Sequence, residues 1–234
     1  MLSANGIVFL LDVDNTLLDN DRFAADLGAH LEQAFGTVER ARYWTIYNAL
    51  RAELGYADYL AALQKFRVGL DDDLPDLLQM SAFVLDYPFA DRLYPQALEA
   101  IAHLRTFGSP VILSDGDVIF QPRKIQRSGI WDAVEGRVLI YLHKERMLDA
   151  MQRSFPASHY VMVDDKPQLL AAMKRALGGK LTTVFVRQGH YATESVNVVI
   201  DPAPDLTIQR IGDLLDRNAS DFVGDPVKSV AATN

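Results

Sequence analysis

The sequence predicts an α/β protein: a Rossmann-like parallel sheet with helices on both faces, plus a helical cap domain inserted after the first strand. Short apolar runs recur along the chain, each too short for a helix and continuous in the manner of strands covered on both faces. Amphipathic helical patterns alternate with these runs over most of the length, the order that builds parallel strands joined by crossover helices. After the first run, the stretch from about Asp19 to Arg92 holds helical patterns and no convincing strand. It is far too long for a strand-to-helix loop of a few residues and predicts a separate lobe.

The runs, in order, are Ile7 to Leu11, Val111 to Leu113, Val138 to Leu142, Tyr160 to Val163 and Thr182 to Val186. The first ends at Asp12, too soon to span a membrane, and lacks the basic start and small-residue cleavage site of a secretion signal. It reads as a buried strand of a cytoplasmic protein. The insertion carries helical segments at Phe23 to Phe35, Glu39 to Leu54 and Leu74 to Leu85, and its Tyr43-Trp44-Tyr47 cluster reads as cap core. Asp71, Asp72 and Asp73 read as a solvated helix N-terminus favoured by the dipole. Helical patterns at Gln96 to Arg105 and Pro167 to Leu177 separate later strands. Gly178-Gly179-Lys180-Leu181-Thr182 superficially resembles a P-loop, but the earlier glycine is missing and the segment precedes a strand; it reads as a helix-stop turn. The organisation expected is a core of residues 1–18 and 93–217, a cap of residues 19–92 and an irregular tail over 218–234.

Composition narrows the function classes. With 234 residues and 49% hydrophobic side chains, the chain makes one to two domains and needs no covalent staple for its core. Its net charge of −8 repels phosphate backbones, so neither nucleic acid nor a membrane is an expected partner. The absence of cysteine excludes a disulfide framework, a thiolate zinc site and a cysteine nucleophile. There is no dinucleotide fingerprint, no HExxH helix and no G-x-S-x-G elbow around Ser114, which removes support for hydride transfer and serine hydrolysis.

Ligands of open parallel sheets bind beyond the carboxyl ends of the strands, so the residues closing each run carry the chemistry. The first run closes in Asp12-Val13-Asp14-Asn15-Thr16, the second in Ser114-Asp115-Gly116 and the fourth in Asp164-Asp165, while the third is followed by His143-Lys144. Carboxylates and a lysine crowded at one sheet edge call for a hard cation with oxygen ligands, and Mg²⁺ is the expected ion. Lys124, midway along the helical stretch after Ser114, reads as a surface lysine, whereas Lys144 directly follows a strand. The five histidines lack metal-ligand spacing and read as surface or helix-end residues, with His190 at the same sheet edge.

These residues resemble the four ordered motifs of the haloacid dehalogenase-like superfamily: Asp12, Asp14 and Thr16 match D-x-D-x-T, Ser114 the second, Lys144 the third, and Asp164 with Asp165 the closing acidic pair. The insertion is similar to the helical cap of one large subgroup. The resemblance implies that Asp12 attacks phosphorus to form an aspartyl-phosphate and that Asp14 serves as acid and then base. Ser114 with Asp115 and Gly116 of its turn, and Lys144, would bind the phosphoryl group. Asp12, the backbone carbonyl of Asp14, and Asp165 would hold Mg²⁺. Thr16 and Asp164 would support them, Asp164 by orienting Lys144 or a metal-bound water, or as a further ligand. As neighbours on a strand, Asp164 and Asp165 are expected to point in opposite directions.

The resemblance thus implies a Mg²⁺-dependent phosphatase acting on a small phosphorylated metabolite, with the cap closing over the leaving group and excluding bulky substrates. A haloacid dehalogenase releases halide, which needs no proton, so Asp14 disfavours that alternative. A sugar phosphomutase would use the same motifs. A phosphate-binding protein without turnover is the non-enzymatic alternative.

Overall fold

A computed structural model describes residues 6–70, 74–194 and 198–223. Six strands, β1 (Ile7–Leu11), β2 (Gly108–Asp115), β3 (Val138–Tyr141), β4 (His159–Asp164), β5 (Leu181–Val186) and β6 (Leu206–Ile208), form one sheet in the order β3-β2-β1-β4-β5-β6. Every pairing is parallel. The chain builds from β1 through β2 to β3 on one side and then crosses to β4 on the other. The topological switch point, where connections leave in opposite directions and a crevice opens, therefore lies between β1 and β4.

Alternate residues of each strand enter opposite layers. Phe9 and Leu11 of β1 join Ile112, Val161 and Val163 in one apolar cluster, while Val8 and Leu10 join Val111, Leu113 and Met162 in the other. The first cluster is covered by α4 (Ala97–Leu104), α5 (Phe120–Arg127) and α6 (Ile130–Ala133), the second by α7 (Leu148–Ser154) and α8 (Pro167–Leu177). Burial on both faces explains why the central strands read as unbroken apolar runs. β2 is longer than its apolar run because it includes Pro110, which lies opposite Phe9 but before Ile112, where pairing with β3 begins. A proline is tolerated there because that stretch of β2 is not flanked by β3.

Between β1 and β2 the chain forms α1 (Asn20–Leu54), α2 (Tyr59–Phe66) and α3 (Leu74–Asp86). α1 is broken at Gly36, whose φ of 83° lies in the left-handed region. Its two halves fold back on each other: Gly28 lies beside Arg40 and Trp44, and Arg40 pairs with Glu32 at 2.7 Å. The two helical patterns read before and after Gly36 are these halves. Asp19 and Asp58 cap α1 and α2, each accepting a backbone N–H at 2.8 Å. Of the Tyr43-Trp44-Tyr47 cluster read as cap core, Tyr43 is buried inside the insertion, whereas Trp44 and Tyr47 also line a cavity facing the sheet. Phe23, Tyr59 and Phe89 of the insertion also pack on Phe120 of α5, with ring centroids 5.7 Å apart, so insertion and sheet share one aromatic cluster.

After β5 come α9 (Gly189–Glu194) and β6, and after β6 a short α10 (Ala219–Phe222). The tail expected to be irregular from 218 is thus ordered through 223. Phe222 is buried edge-on against Phe9 of β1 at 5.2 Å, and its carbonyl accepts from Thr182 Oγ1 at 2.6 Å. Gly178, with φ 57°, ends α8 as the helix-stop reading requires. The Asp71-Asp72-Asp73 cap and the tail beyond 223 lie outside the described residues. Among the described residues, no helix is long and apolar enough to cross a membrane.

Candidate active site

Asp12 leaves the end of β1 at the switch point, its N–H donating to the Val163 carbonyl of β4 at 3.0 Å. Lys144, in the turn after β3, is fully buried. Its ammonium donates to Asp12 Oδ1 at 2.5 Å and to the Leu113 carbonyl at 3.3 Å, and forms an ion pair with Asp164 Oδ2 at 2.6 Å. Burial alone would depress its pKa, but Asp12, Asp164 and Asp115 together push it well above the ordinary lysine value. Asp115 further fixes the turn by accepting the Lys144 N–H at 2.7 Å.

The closing acidic pair departs from the expected geometry. Asp164 ends β4, whereas the chain bends at Asp165 on its way into α8, so the two side chains do not alternate. Asp12, Asp164 and Asp165 each bring a carboxylate oxygen into a group whose members all lie within 4.8 Å of one another. Asp164 Oδ1 accepts the Lys166 N–H at 2.8 Å, and its Oδ2 lies 2.6 Å from the Lys144 ammonium as an ion pair without hydrogen-bond geometry. Asp165 has neither kind of partner: both of its oxygens, and Oδ2 of Asp12, are buried with no hydrogen-bond partner. Burial, then the neighbouring Asp164 and Asp12, push the Asp165 pKa up. Unpaired buried carboxylate oxygens are costly, and an all-oxygen donor set suits a hard divalent cation. The residues fit a metal centre built on Asp12 and Asp165. The Asp14 side chain is not part of this trio.

Asp14 turns instead toward α5. Lys124 Nζ lies 2.7 and 3.0 Å from its two oxygens. This corrects the reading of Lys124 as a surface residue: it is 1% exposed. Its helix packs under the insertion, so a position midway along a helix did not mean a solvated face. Gln121, one turn earlier on the same helix face, donates to Ser114 Oγ at 3.0 Å and reaches Asp14 Oδ2 at 3.4 Å. Gly116 permits this close approach, since a Cβ there would lie 2.9 Å from Gln121. Thr16 is buried beneath the turn, its carbonyl accepting from Gln188 Nε2 at 3.2 Å.

Asp14, Asp115, Lys166 and His190 of the sheet edge face Tyr47 and Arg51 of α1 across a cavity of about 570 Å³. His190 is held by Asp21, which accepts its N–H at 2.8 Å and approaches Nδ1 at 2.7 Å. Arg51 contacts the Tyr191 hydroxyl across the cavity mouth. Gln121, Lys166 and Arg51 are absent from the sequence reading, and Lys124 enters it only as a surface lysine. Only Lys166 carried a local sign, directly after the acidic pair and before the proline that opens α8.

Fold and site together define an α/β protein with an acidic centre at the switch point of a Rossmann-like sheet. The model of the family described as haloacid dehalogenase-like hydrolase matches residues 8–176, and the chain belongs to that family. A haloacid dehalogenase-like hydrolase of Burkholderia xenovorans LB400 is 60% identical, with a TM-score of 0.85 over 92% of this chain and 100% of that one. At 16% identity, the HAD-hydrolase YfnB of Bacillus subtilis, in a magnesium-bound crystal form, shares the fold with a TM-score of 0.63 over 91% and 98% of the two chains. The L-2-haloacid dehalogenase of Xanthobacter autotrophicus, 18% identical, has a TM-score of 0.55 over 89% and 96%. Among proteins of curated function, none matches the sequence.

Proposed function

We propose that the protein is a Mg²⁺-dependent phosphatase that hydrolyses a small-molecule phosphomonoester through an aspartyl-phosphate on Asp12. The observation that carries this reading is the Asp14 carboxyl group, which lines the cavity two residues after Asp12. An alkoxide leaving group needs a proton donor there, and a departing halide does not. Asp12 attacks phosphorus as the bond to the leaving oxygen breaks, and Asp14 protonates that oxygen. Asp14 then takes a proton from the water that splits the aspartyl-phosphate. Lys144 and Ser114 hold the phosphoryl oxygens, and Lys166 adds a second positive charge at the cavity wall.

Asp12 and Asp165, with the backbone carbonyl of Asp14, would hold the Mg²⁺; when bound, the ion shares the charge of the transferring phosphoryl group. Magnesium in the YfnB structure, on the same fold, is in keeping with this assignment. The cavity has the size of a small-metabolite site, and the helical insertion over it acts as a cap that excludes bulky substrates. A cysteine-free chain of this kind suits a reducing cytoplasm.

The test is a panel of phosphomonoesters and 2-haloacids offered to purified protein with and without Mg²⁺, reading phosphate and halide. Mg²⁺-dependent phosphate release is expected. Halide release that ignores Mg²⁺ would establish the dehalogenase reading instead, and an isomerised sugar phosphate would establish a mutase.

A further inference from the structure

We propose that Lys124 is the positioning residue for Asp14, the group that aims the acid–base carboxyl at the leaving oxygen. The inference rests on the phosphatase reading above. Lysine is almost never fully buried without a partner that explains it. Lys124 has three hydrogens to satisfy and three acceptors: the two Asp14 oxygens at 2.7 and 3.0 Å, and Asn20 Oδ1 at 3.0 Å. Four rings surround the ammonium, Phe120 at 5.2 Å, Phe89 at 5.8 Å, and Phe23 and Tyr59 at 6.0 Å. Their negative faces favour the cation and their bulk keeps water away from it. Among the described residues, Asp14 is its one carboxylate partner.

The arrangement joins three parts of the chain. Asp14 follows β1, Lys124 stands on α5, and Asn20 opens α1. The insertion seated on the sheet supplies the third acceptor and three of the four rings that hold the ammonium against Asp14. In the reaction, an electron pair of the Asp12 carboxylate forms the new bond to phosphorus while the pair of the old P–O bond goes to the leaving oxygen, which takes the Asp14 proton. Asp14 is left as the carboxylate that Lys124 grips at both oxygens. From that position it accepts a proton from the attacking water. Oδ2 takes Lys124 and, at 3.4 Å, Gln121, while Oδ1 keeps a lone pair beyond its contact with Lys124, so the grip fixes the direction of Asp14 and leaves one oxygen open to the proton.

Lys124→Met preserves the stem within the aromatic ring cluster and removes the charge. The readout is kcat/KM with Mg²⁺ for two esters of similar shape: p-nitrophenyl phosphate, whose phenolate departs without a proton, and benzyl phosphate, whose alkoxide needs one. Lys124→Met is expected to lower kcat/KM for benzyl phosphate about 10²-fold and for p-nitrophenyl phosphate less than about threefold. Asp14→Asn should show the same bias, and the double variant should be no worse than Asp14→Asn alone. Lys124→Arg should recover part of the benzyl phosphate rate. Equal losses on both esters, or losses that multiply in the double variant, would overturn the positioning role while leaving the phosphatase reading in place. If Lys124→Met does not fold, Lys124→Gln and Lys124→Arg carry the same comparison, because only the bias between esters is read. Wild-type protein that cleaves neither ester overturns the phosphatase reading and this inference with it.

Discussion

The three carboxylates at the switch point occupy one cluster and meet different fates. Asp164 has a backbone N–H on one oxygen and the Lys144 ion pair on the other, whereas Asp165 has neither. In metal-free protein, Asp165→Asn is therefore expected to leave the melting temperature unchanged or raise it. Asp164→Asn should lower stability by about 2 kcal/mol, because it removes one of the two carboxylates paired with the buried Lys144 ammonium. Thermal denaturation in a chelator separates the two; a larger loss from Asp165→Asn would contradict the assignment. With Mg²⁺ the order reverses: Asp165→Asn should raise the half-saturating Mg²⁺ concentration for activity more than Asp164→Asn does, by about tenfold or more. Equal large shifts in that titration would mean that both acids hold the ion. Asp12→Asn should keep the fold and lower kcat by at least about 10³-fold, and substantial residual activity in protein free of wild-type contamination would sink the covalent mechanism. The identity and order of these acids were legible from the ends of the apolar runs. Their pairing was not, since it depends on a bend at Asp165 that strand periodicity does not encode. Lys124 was misread for a related reason: periodicity locates a helix face but does not say which distant segment covers it.

Secondary-structure elements hold the site through a few tight approaches. Gly189, at the start of α9, has φ 65°, and a Cβ there would lie 2.5 Å from that of Asn15, next to Asp14. Gly189→Ala should cost about 2–3 kcal/mol and reduce activity, whereas Gly179→Ala, with open space around it, should be neutral within about 1 kcal/mol. Denaturant titration of both variants checks this, and equal effects would refute it. At the sheet edge, Asp205 accepts from Lys174 Nζ at 2.8 Å and from Thr183 N–H and Oγ1 at 2.8 and 2.9 Å, docking β6 on β5. Burial raises its pKa, but these donors outweigh burial and leave it below the ordinary value. Its contribution is thus complete above the unfolded pKa of about 4 and drains away as pH falls through the lower folded value. The melting-temperature gap between wild type and Asp205→Ala should narrow below about pH 4; a gap constant from neutral to acid pH would reject the linkage. β6 was invisible in the sequence because Leu206-Thr207-Ile208 is too short for a pattern and follows two prolines. Its strand character comes from β5 and Asp205.

At the scale of the whole molecule, the sheet and the insertion meet around the cavity through Lys124 with Asn20, Arg123 with Asp86 at 2.6 Å, and Arg51 with Tyr191. Alternating runs made the sheet legible, and the long interval without strands made the helices between β1 and β2 legible. The contacts across it were not, because they join residues far apart in the chain. Of these contacts, Arg51 with Tyr191 lies at the cavity mouth. Arg51→Ala should loosen closure, raising KM several-fold, about 1 kcal/mol, and enlarging the radius of gyration in solution scattering. Wild type with a bound phosphate transition-state mimic should be more compact than free protein. Profiles that do not change despite demonstrated binding would mean that the insertion does not move.

The position of β1 in the middle of the sheet has a consequence for biogenesis. Synthesis delivers this strand first, yet its partner β4 begins at His159 and the ring that seals Phe9 is Phe222. At ordinary elongation rates, the five apolar residues that lead to Asp12 wait roughly 8–30 s for β4 alone. β2 can cover one edge of this uncharged strand earlier, but throughout that interval its other edge stays unpaired, an edge of the kind that chaperones bind and that seeds intermolecular pairing. The strand that presents the nucleophile is thus also the segment that leaves a stalled or shortened chain most prone to aggregate.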